Sequence, residues 1–420
     1  MKNIIFVNLF LSLMLPLHSF SQWQLIQEFK GTTFNDVQFL NNDTGFFAGQ
    51  NGSGLGVIYH TQDGGITWDS LILETYHLNS IHFPCPDTGY TCGYSHTIYK
   101  TVNGGDLWFR IDTPTFVLSY DFKSIIFIDG NHGYITQDGY LFHTFDGGLQ
   151  WSADTFNSGG RRMAYRDSVL GCVSAGAYIG IIRDQGSSFT LYKAASDASL
   201  LSLDIIGKDQ YITGGIGWDG TMNYGVTSLS VDGGINWQMN TFYGIKGVTD
   251  ITFVNDTIGY FCAYPYYYEQ HIWKTIDGGS SWHPQSVDVP PQYNITPLLC
   301  ISCPSDTVCY ASGYFGTIYK TVNGGGPLLS IISNNNSSND INVQLSPNPA
   351  RDFVTIRITE PAAEEIQVFV SDCTGRIVLR SVIPKGETTC ELGLGRIRAG
   401  VYFVRVSGSL SQRVMKLVKE

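Results

Sequence analysis

Short apolar and polar runs alternate along most of the chain, and they return in the same order. Each cycle opens on a brief apolar run, as in Val37-Gln38-Phe39, Ile81-His82-Phe83, Ile125-Ile126-Phe127 and Ile251-Thr252-Phe253. A turn rich in Asp and Gly follows, as in Asn42-Asp43-Thr44-Gly45, Pro86-Asp87-Thr88-Gly89 and Asn255-Asp256-Thr257-Ile258-Gly259. Small and aromatic residues come next (Tyr90-Thr91-Cys92-Gly93), then a run such as Ile98-Tyr99-Lys100-Thr101, and a tryptophan opens the last run of the cycle. Runs this short, bounded by Gly and Asp, predict strands rather than helices, four to a cycle.

One string joins the third strand to the fourth. It reads Thr61-Gln62-Asp63-Gly64-Gly65-Ile66-Thr67-Trp68, and strong copies end at Trp108, Trp151, Trp237 and Trp282. Weaker copies stand at Asp184-Gln185-Gly186-Ser187-Ser188-Phe189 and Thr321-Val322-Asn323-Gly324-Gly325. The third residues of the string are Asp63, Asn103, Asp146, Asp184, Asp232, Asp277 and Asn323, spaced 38 to 48 residues apart. Asp or Asn before Gly-Gly makes a turn, because the side chain bonds nearby N–H groups and glycine accepts positive φ. That period is the signature of a propeller, in which one four-stranded unit cannot bury its faces alone. Seven strings predict an all-β fold with a seven-bladed β-propeller. The last string has Gly326-Pro327-Leu328 where a Trp belongs, whereas Trp23-Gln24-Leu25-Ile26 stands near the N-terminus. Trp23 lies 16 residues before Phe39, as Trp237 does before Phe253, so this segment is expected to supply the missing fourth strand of blade seven.

The string resembles the Asp-box, or BNR, repeat of sialidases, sortilin-type receptors, xyloglucanases and photosystem II assembly factor-like propellers. In those families the box is a hairpin on the outside of each blade, away from the working face. The resemblance therefore implies a structural role for Asp63 and its six equivalents.

The pattern changes after Leu329. Residues 330–342 are polar and Asn-rich, which predicts a linker. Alternating strands follow at Phe353–Ile358, Ile366–Ser371, Arg376–Leu379, Gly400–Val406 and Arg413–Lys419. Ser346-Pro347-Asn348-Pro349-Ala350, Asp372-Cys373-Thr374-Gly375-Arg376, Ala399-Gly400-Val401-Tyr402-Phe403-Val404-Arg405 and Lys416-Leu417-Val418-Lys419 resemble the type A C-terminal sorting domain of the type IX secretion system of Bacteroidota. The resemblance implies a small immunoglobulin-like β-sandwich that addresses the protein to the secretion machinery and is commonly removed afterwards. Cys373 departs from that family's turn, with Cys390 as its candidate partner. The expected organisation is a signal peptide at 1–21, a propeller at 22–329, a linker at 330–342 and a sorting domain at 343–420. The signal peptide is read from Lys2, the apolar run Ile4 to Leu17 and the small residues Ser19 and Ser21. The run is short for a membrane span. The expected location is therefore the outer cell surface or the medium, reached through the periplasm, with no transmembrane anchor.

Charge narrows the partners. Residues 343–420 hold 11 Lys+Arg against 8 Asp+Glu, which leaves 14 against 28 for residues 1–342. So acidic a region argues against nucleic acid and anionic lipid. The nine cysteines are an odd number. Cys85 with Cys92, and Cys303 with Cys309, flank predicted turns and are candidate disulfide pairs. No Cys or His spacing suggests a metal, and no cofactor is expected.

No catalytic residue is assigned. A sialidase needs three converging arginines and a Tyr–Glu pair, but only Arg110, Arg161, Arg162, Arg166 and Arg183 precede the linker. A glycosidase needs two carboxylates across a cleft, and no such pair stands out. The expected activity is binding of a glycan or a protein, with a secreted glycoside hydrolase as the alternative. Candidate binding residues are Trp218, Asp219 and Tyr224, in an enlarged turn between the second and third strands of blade five. Tyr264, Tyr266, Tyr267 and Tyr268 enlarge the same turn of blade six. Both insertions are expected on the face away from the boxes.

Overall fold

The computed structural model describes residues 22–111, 121–155, 160–166, 169–174, 176–183, 189–266, 271–293, 296–326, 343–359, 361–362, 365–371, 377–395, 397–407 and 412–419. The segments expected to be a signal peptide and a linker lie outside these residues. The strands between Gln24 and Thr321 form seven antiparallel sheets of four. Six of them are meanders, as in blade one with Thr33–Phe39, Gly45–Gln50, Leu55–Thr61 and Asp69–Tyr76. The seventh joins Leu298–Ser302, Cys309–Gly313 and Thr317–Thr321 to Gln24–Glu28 as its outer strand, with Gln24 opposite Lys320. Trp23 is fully buried beside this strand, edge-on to Tyr260 at 6.0 Å. The ring is thus closed by its own first strand.

Polar side chains on each innermost strand hold the next blade. Asp36 Oδ2 accepts the Ile81 N–H at 2.9 Å, Ser80 Oγ that of Ile125 at 3.2 Å, Ser124 Oγ that of Met163 at 3.3 Å, and Asp250 Oδ2 that of Ile301 at 3.0 Å. A second row lies two residues further on. Gln38 takes the Phe83 N–H, His82 Nδ1 that of Phe127, Asp204 that of Phe253, and Ser302 Oγ that of Phe39 across the closing seam. Backbone groups with no ladder partner are thereby satisfied from the neighbouring blade. Arg162, on the innermost strand of blade four, lies 2.9 Å from Asp36 of blade one and 3.0 Å from Asp250 of blade six. Because blade four is next to neither of them in the ring order, these contacts reach across the middle of the ring. Burial pushes the Asp250 carboxyl up, and Arg162 opposes that shift.

The outer ends of the innermost strands interlock through rings. Phe39, Phe83, Phe127 and Phe253 each lie on a glycine six residues later, at Gly45, Gly89, Gly133 and Gly259, where any Cβ would collide with the ring. The residue after that glycine stacks on the next blade's phenylalanine. Phe46 lies 4.2 Å from Phe83, Tyr90 3.5 Å from Phe127, and Tyr310 3.5 Å from Phe39. In blade seven the phenylalanine and glycine positions are Cys303 and Cys309, and these two form a disulfide.

The other expected bridge is corrected by the structure: Cys85 and Cys92 are both free, one exposed and one buried. Cys85 faces Thr88 and Cys92 faces Ser80, so about 15 Å of strand separates the two positions. The true equivalents of Cys303 and Cys309 in blade two are Phe83 and Gly89. Cys390 is also a free buried thiol, 3.5 Å from Ser381 Oγ, and Cys373 lies outside the described residues.

The C-terminal strands form a three-stranded sheet and a four-stranded sheet. Val354, Ile356 and Leu392 of the first share one apolar core with Val368, Val404, Val406 and Leu417 of the second. Thr389–Gly393 is a strand that the sequence pattern did not give.

Candidate binding face

The Asp boxes are self-contained turns. Asp63 Oδ1 accepts the Thr61 hydroxyl at 2.9 Å and the N–H groups of Ile66 and Thr67, while Oδ2 accepts the Thr67 hydroxyl at 2.6 Å. The Thr67 bonds hold this carboxyl low, at about 2. Asp146 and Asp232 are lowered chiefly by the N–H groups of Gln150 and Asn236. Asp277 accepts the Thr275 hydroxyl in the same way. Asn103 and Asn323 fill the same place with a neutral amide oxygen. The box therefore requires an acceptor, not a charge. Asp184 lies outside the described residues. The cation that precedes a box is also in use. Lys100, Arg183, Lys274 and Lys320 donate to the glycine carbonyls Gly147, Gly233, Gly324 and Gly64 of the following blade.

The box turns also define the ends of the ring. Gly64, Gly104, Gly147, Gly233, Gly278 and Gly324 donate to carbonyls of the first turn of their own blade, so both turns share one end. Since strands alternate in direction, the turns between second and third strands and the links between blades share the other end.

Exposed rings collect at that other end. Trp218, 54% exposed, closes Gln210–Trp218, and Asp219 caps the following turn by accepting the Thr221 hydroxyl at 2.6 Å and two N–H groups. These bonds hold the Asp219 carboxyl below its usual range, the Thr221 hydroxyl foremost. Tyr224 is buried, lies over Gly217 and packs 5.2 Å from Tyr243, which is 56% exposed. Tyr266 donates to the Asn223 carbonyl at 3.1 Å and thereby joins the enlarged turns of blades five and six. Lys246 sits 4.2 Å above the Tyr264 ring and 5.3 Å from that of Tyr266. Tyr267 and Tyr268 lie outside the described residues. Of the described candidates, Trp218 is the open ring, and Tyr224 and Tyr266 tie the support together.

Sequence reasoning missed two further ring pairs at this end. Tyr76, 57% exposed, meets Tyr94, 40% exposed, edge-on at 4.9 Å. Beside them His77 lies 3.4 Å from Asp121, which also accepts the Ser95 N–H. In blade seven Tyr293 stacks on Phe315 at 5.2 Å and donates to Glu28 at 2.7 Å. Phe315 is held in the left-handed region at φ 61°. The signal was present in the sequence, because Gly93-Tyr94-Ser95-His96-Thr97-Ile98-Tyr99-Lys100-Thr101 and Gly313-Tyr314-Phe315-Gly316-Thr317-Ile318-Tyr319-Lys320-Thr321 are two copies of one turn.

Tyr293 with Glu28 is the type of pair that sialidase chemistry uses, but its arginine clamp is not assembled. Arg110 lies on an exposed two-residue strand of blade two, and the other four arginines belong to blade four. Arg162 is held by two carboxylates, Arg166 by the carbonyls of Ile206 and Phe253, and Arg183 by Gly233. Among the described residues no cluster of three His, Cys, Asp or Glu side chains is placed to hold a metal, and no helix is long and apolar enough to cross a membrane.

Comparison with known proteins assigns both parts of the chain. Residues 15–199 match the family described as photosynthesis system II assembly factor YCF48, and residues 344–420 match the secretion system C-terminal sorting domain. The photosystem II assembly lipoprotein Ycf48 of Synechococcus sp. (strain CC9902) is 28% identical over 171 residues, 40% of this chain and 48% of that protein. The chain thus spans about half the length of this curated relative. The solved structure of YCF48 bound to D1 peptide superposes with a TM-score of 0.57 at 18% identity, over 73% of this chain and 98% of that one. YCF48 from Cyanidioschyzon merolae gives 0.56 at 17%, over 71% and 98%. PorZ, a surface component of the type-IX secretion system of Porphyromonas gingivalis, gives 0.52 at 14%, over 92% and 59%. At such identities these likenesses speak to the fold. The chain joins a BNR propeller of the photosystem II assembly factor type, matched over residues 15–199, to a secretion-system C-terminal sorting domain, matched over residues 344–420.

Proposed function

We propose that this is an exported, non-catalytic binding protein. In this reading residues 343–420 address it to the type IX secretion machinery and residues 22–329 capture a ligand outside the outer membrane. The sorting-domain match supports export. The observation that carries the binding role is the segregation of the propeller's exposed tyrosine and tryptophan side chains to the end opposite the boxes, where Trp218 and Tyr243 stand open over a tied support, whereas the rings exposed on the box side, Phe109 and Phe145, carry no polar edge. Rings with a polar edge, held on a rigid frame, suit recognition of sugars or of a partner's side chains at low entropic cost. Trp218→Ala combined with Tyr243→Ala is expected to abolish ligand capture on a glycan array or from surface extracts, with a melting temperature unchanged within about 2 °C. Capture that survives the double substitution would overturn the site. A hydrolysis assay on neutral and sialylated glycans tests the enzymatic alternative, which the Tyr293–Glu28 pair supports.

A further inference from the structure

We propose that the end of the ring opposite the Asp boxes carries three stations for one ligand, a neutral polysaccharide, and that binding is multivalent. The proposal rests on the binding role given above and extends it in valency and ligand class. Each station combines aromatic rings with a carboxylate. The first has Tyr76 and Tyr94 with Asp121, at the mouth of blade two. The second has Trp218 and Tyr243 with Asp219, where blades five and six meet. The third has Tyr293 and Phe315 with Glu28, in blade seven.

All three are built from the same parts of the propeller, a turn between second and third strands and a link between blades. They therefore face the same way. Their open rings also share an exposure that packing alone would remove, with Tyr76, Trp218, Tyr243 and Phe315 all about half exposed or more. The third station holds Phe315 at a positive φ, a backbone conformation that disfavours side chains other than glycine. In blade two, Ser95 and His96 hold the matching turn left-handed as well. Non-glycine residues in such turns cost stability, which is the pattern expected where a side chain is kept for recognition.

The ligand class follows from the chemistry of the stations. A ring face takes the C–H face of a sugar, and a carboxylate beside it can only accept, as a sugar hydroxyl requires. The nearby cations are engaged: Lys246 lies over Tyr264 and Tyr266, and Lys123 stands 3.9 Å from Asp121. With 14 cationic against 28 acidic residues before residue 343, the field repels anionic polymers. Blade one lies between the first and third stations, so at about 10 Å per packed sheet they stand roughly 20 Å apart. A polymer reaches both, whereas a disaccharide occupies one. Tethering at several stations raises apparent affinity by about 10² or more over a single contact.

The test uses the full chain after removal of its leader, retained on immobilised neutral polysaccharides (xylan, mannan, laminarin and dextran), with alginate and hyaluronate as acidic controls. Trp218→Ala, Tyr94→Ala and Phe315→Gly each remove one station. The last relieves the backbone strain, so its fold is preserved. Each single variant is expected to lower retention on the preferred neutral polymer about tenfold, and the triple variant to abolish it. Short oligosaccharides of that polymer are expected to bind about 10²-fold more weakly. If only Trp218→Ala matters, the single binding site stands and the three-station proposal falls. Retention on the acidic polymers alone also overturns it. If no glycan of either charge is retained, this proposal fails whether or not a protein ligand is captured.

Discussion

Thr275 Oγ1 accepts the Gly279 N–H at 2.9 Å and donates to Asp277 at 2.8 Å, and its side chain is fully buried. Ser230 does the same in blade five, so a hydroxyl is what the position needs. Thr275→Val is expected to cost about 1–3 kcal/mol, because the Gly279 N–H is left buried without an acceptor, and Thr275→Ser much less. Urea unfolding of the two variants checks this. His82 offers a pH test. Burial lowers its pKa from 6.5 to about 4 while its Nδ1 accepts the Phe127 N–H. The folded state keeps His82 neutral where the unfolded chain protonates it. Its contribution is therefore complete above pH 6.5 and is lost as pH falls towards 4. Asp204, raised to about 6 by burial, works the other way between pH 4 and 6, since its protonated form suits the fold. Gln38 holds the equivalent bond in blade one without titrating. His82→Gln is therefore expected to lose about 1 kcal/mol less stability than the parent between pH 7 and pH 5, measured by denaturant midpoints.

The blade is the element at which substitution can be read across positions. Four blades place Phe over Gly at the end of the first hairpin, and blade seven places Cys303 and Cys309 there. Removing the bridge with Cys303→Ala and Cys309→Ala is expected to cost about 2 kcal/mol for so short a loop. Cys303→Phe with Cys309→Gly restores the pattern of the other blades and is expected to recover most of that loss, with stability no longer sensitive to reductant. Failure to recover would mean that the two locks are not equivalent. The same comparison shows how a register error arises. Cys85 and Cys92 flank a turn in the sequence as Cys303 and Cys309 do, but pairing in blade two is set by Phe83 and Gly89, and Cys92 falls three residues beyond the lock. Spacing from a turn is visible in a sequence; which pair of positions faces across the ladder depends on bulges, and one interrupts this ladder between His82 and Cys85.

Across the whole molecule, the repeats made most of the architecture legible. Strings of Asp-Gly-Gly, tryptophans at fixed distance and a displaced Trp23 point to a ring of four-stranded sheets, and the last sheet takes its outer strand from Gln24–Glu28. The exposed rings at the end opposite the boxes were legible only where insertions enlarged the turns, at Trp218 and Tyr264. Tyr94 and Phe315 sit in turns of ordinary length, marked only by the likeness of residues 93–101 to residues 313–321, and their neighbours Asp121 and Glu28 come from elsewhere in the chain. Arg162 was equally silent, because a charge on an inner strand finds its partners only across the closed ring. Removing residues 343–420 is expected to leave the melting temperature of the ring within about 2 °C while preventing its appearance outside the native cell, as followed by immunoblotting of medium and periplasm. Deleting residues 23–28 is expected to do the reverse, lowering the melting temperature by about 10 °C or more, because the seam would lose Trp23 and a whole strand. The seam also sets a timetable for biosynthesis. Gln24 and Leu25 are made nearly three hundred residues before Lys320 and Tyr319, the residues with which they pair. Until then the growing chain is an open arc with a bare strand edge at each side, the form most exposed to chaperones, proteases and mispairing with another nascent copy. Folding quality for this protein is consequently decided only once the last blade can meet the first strand.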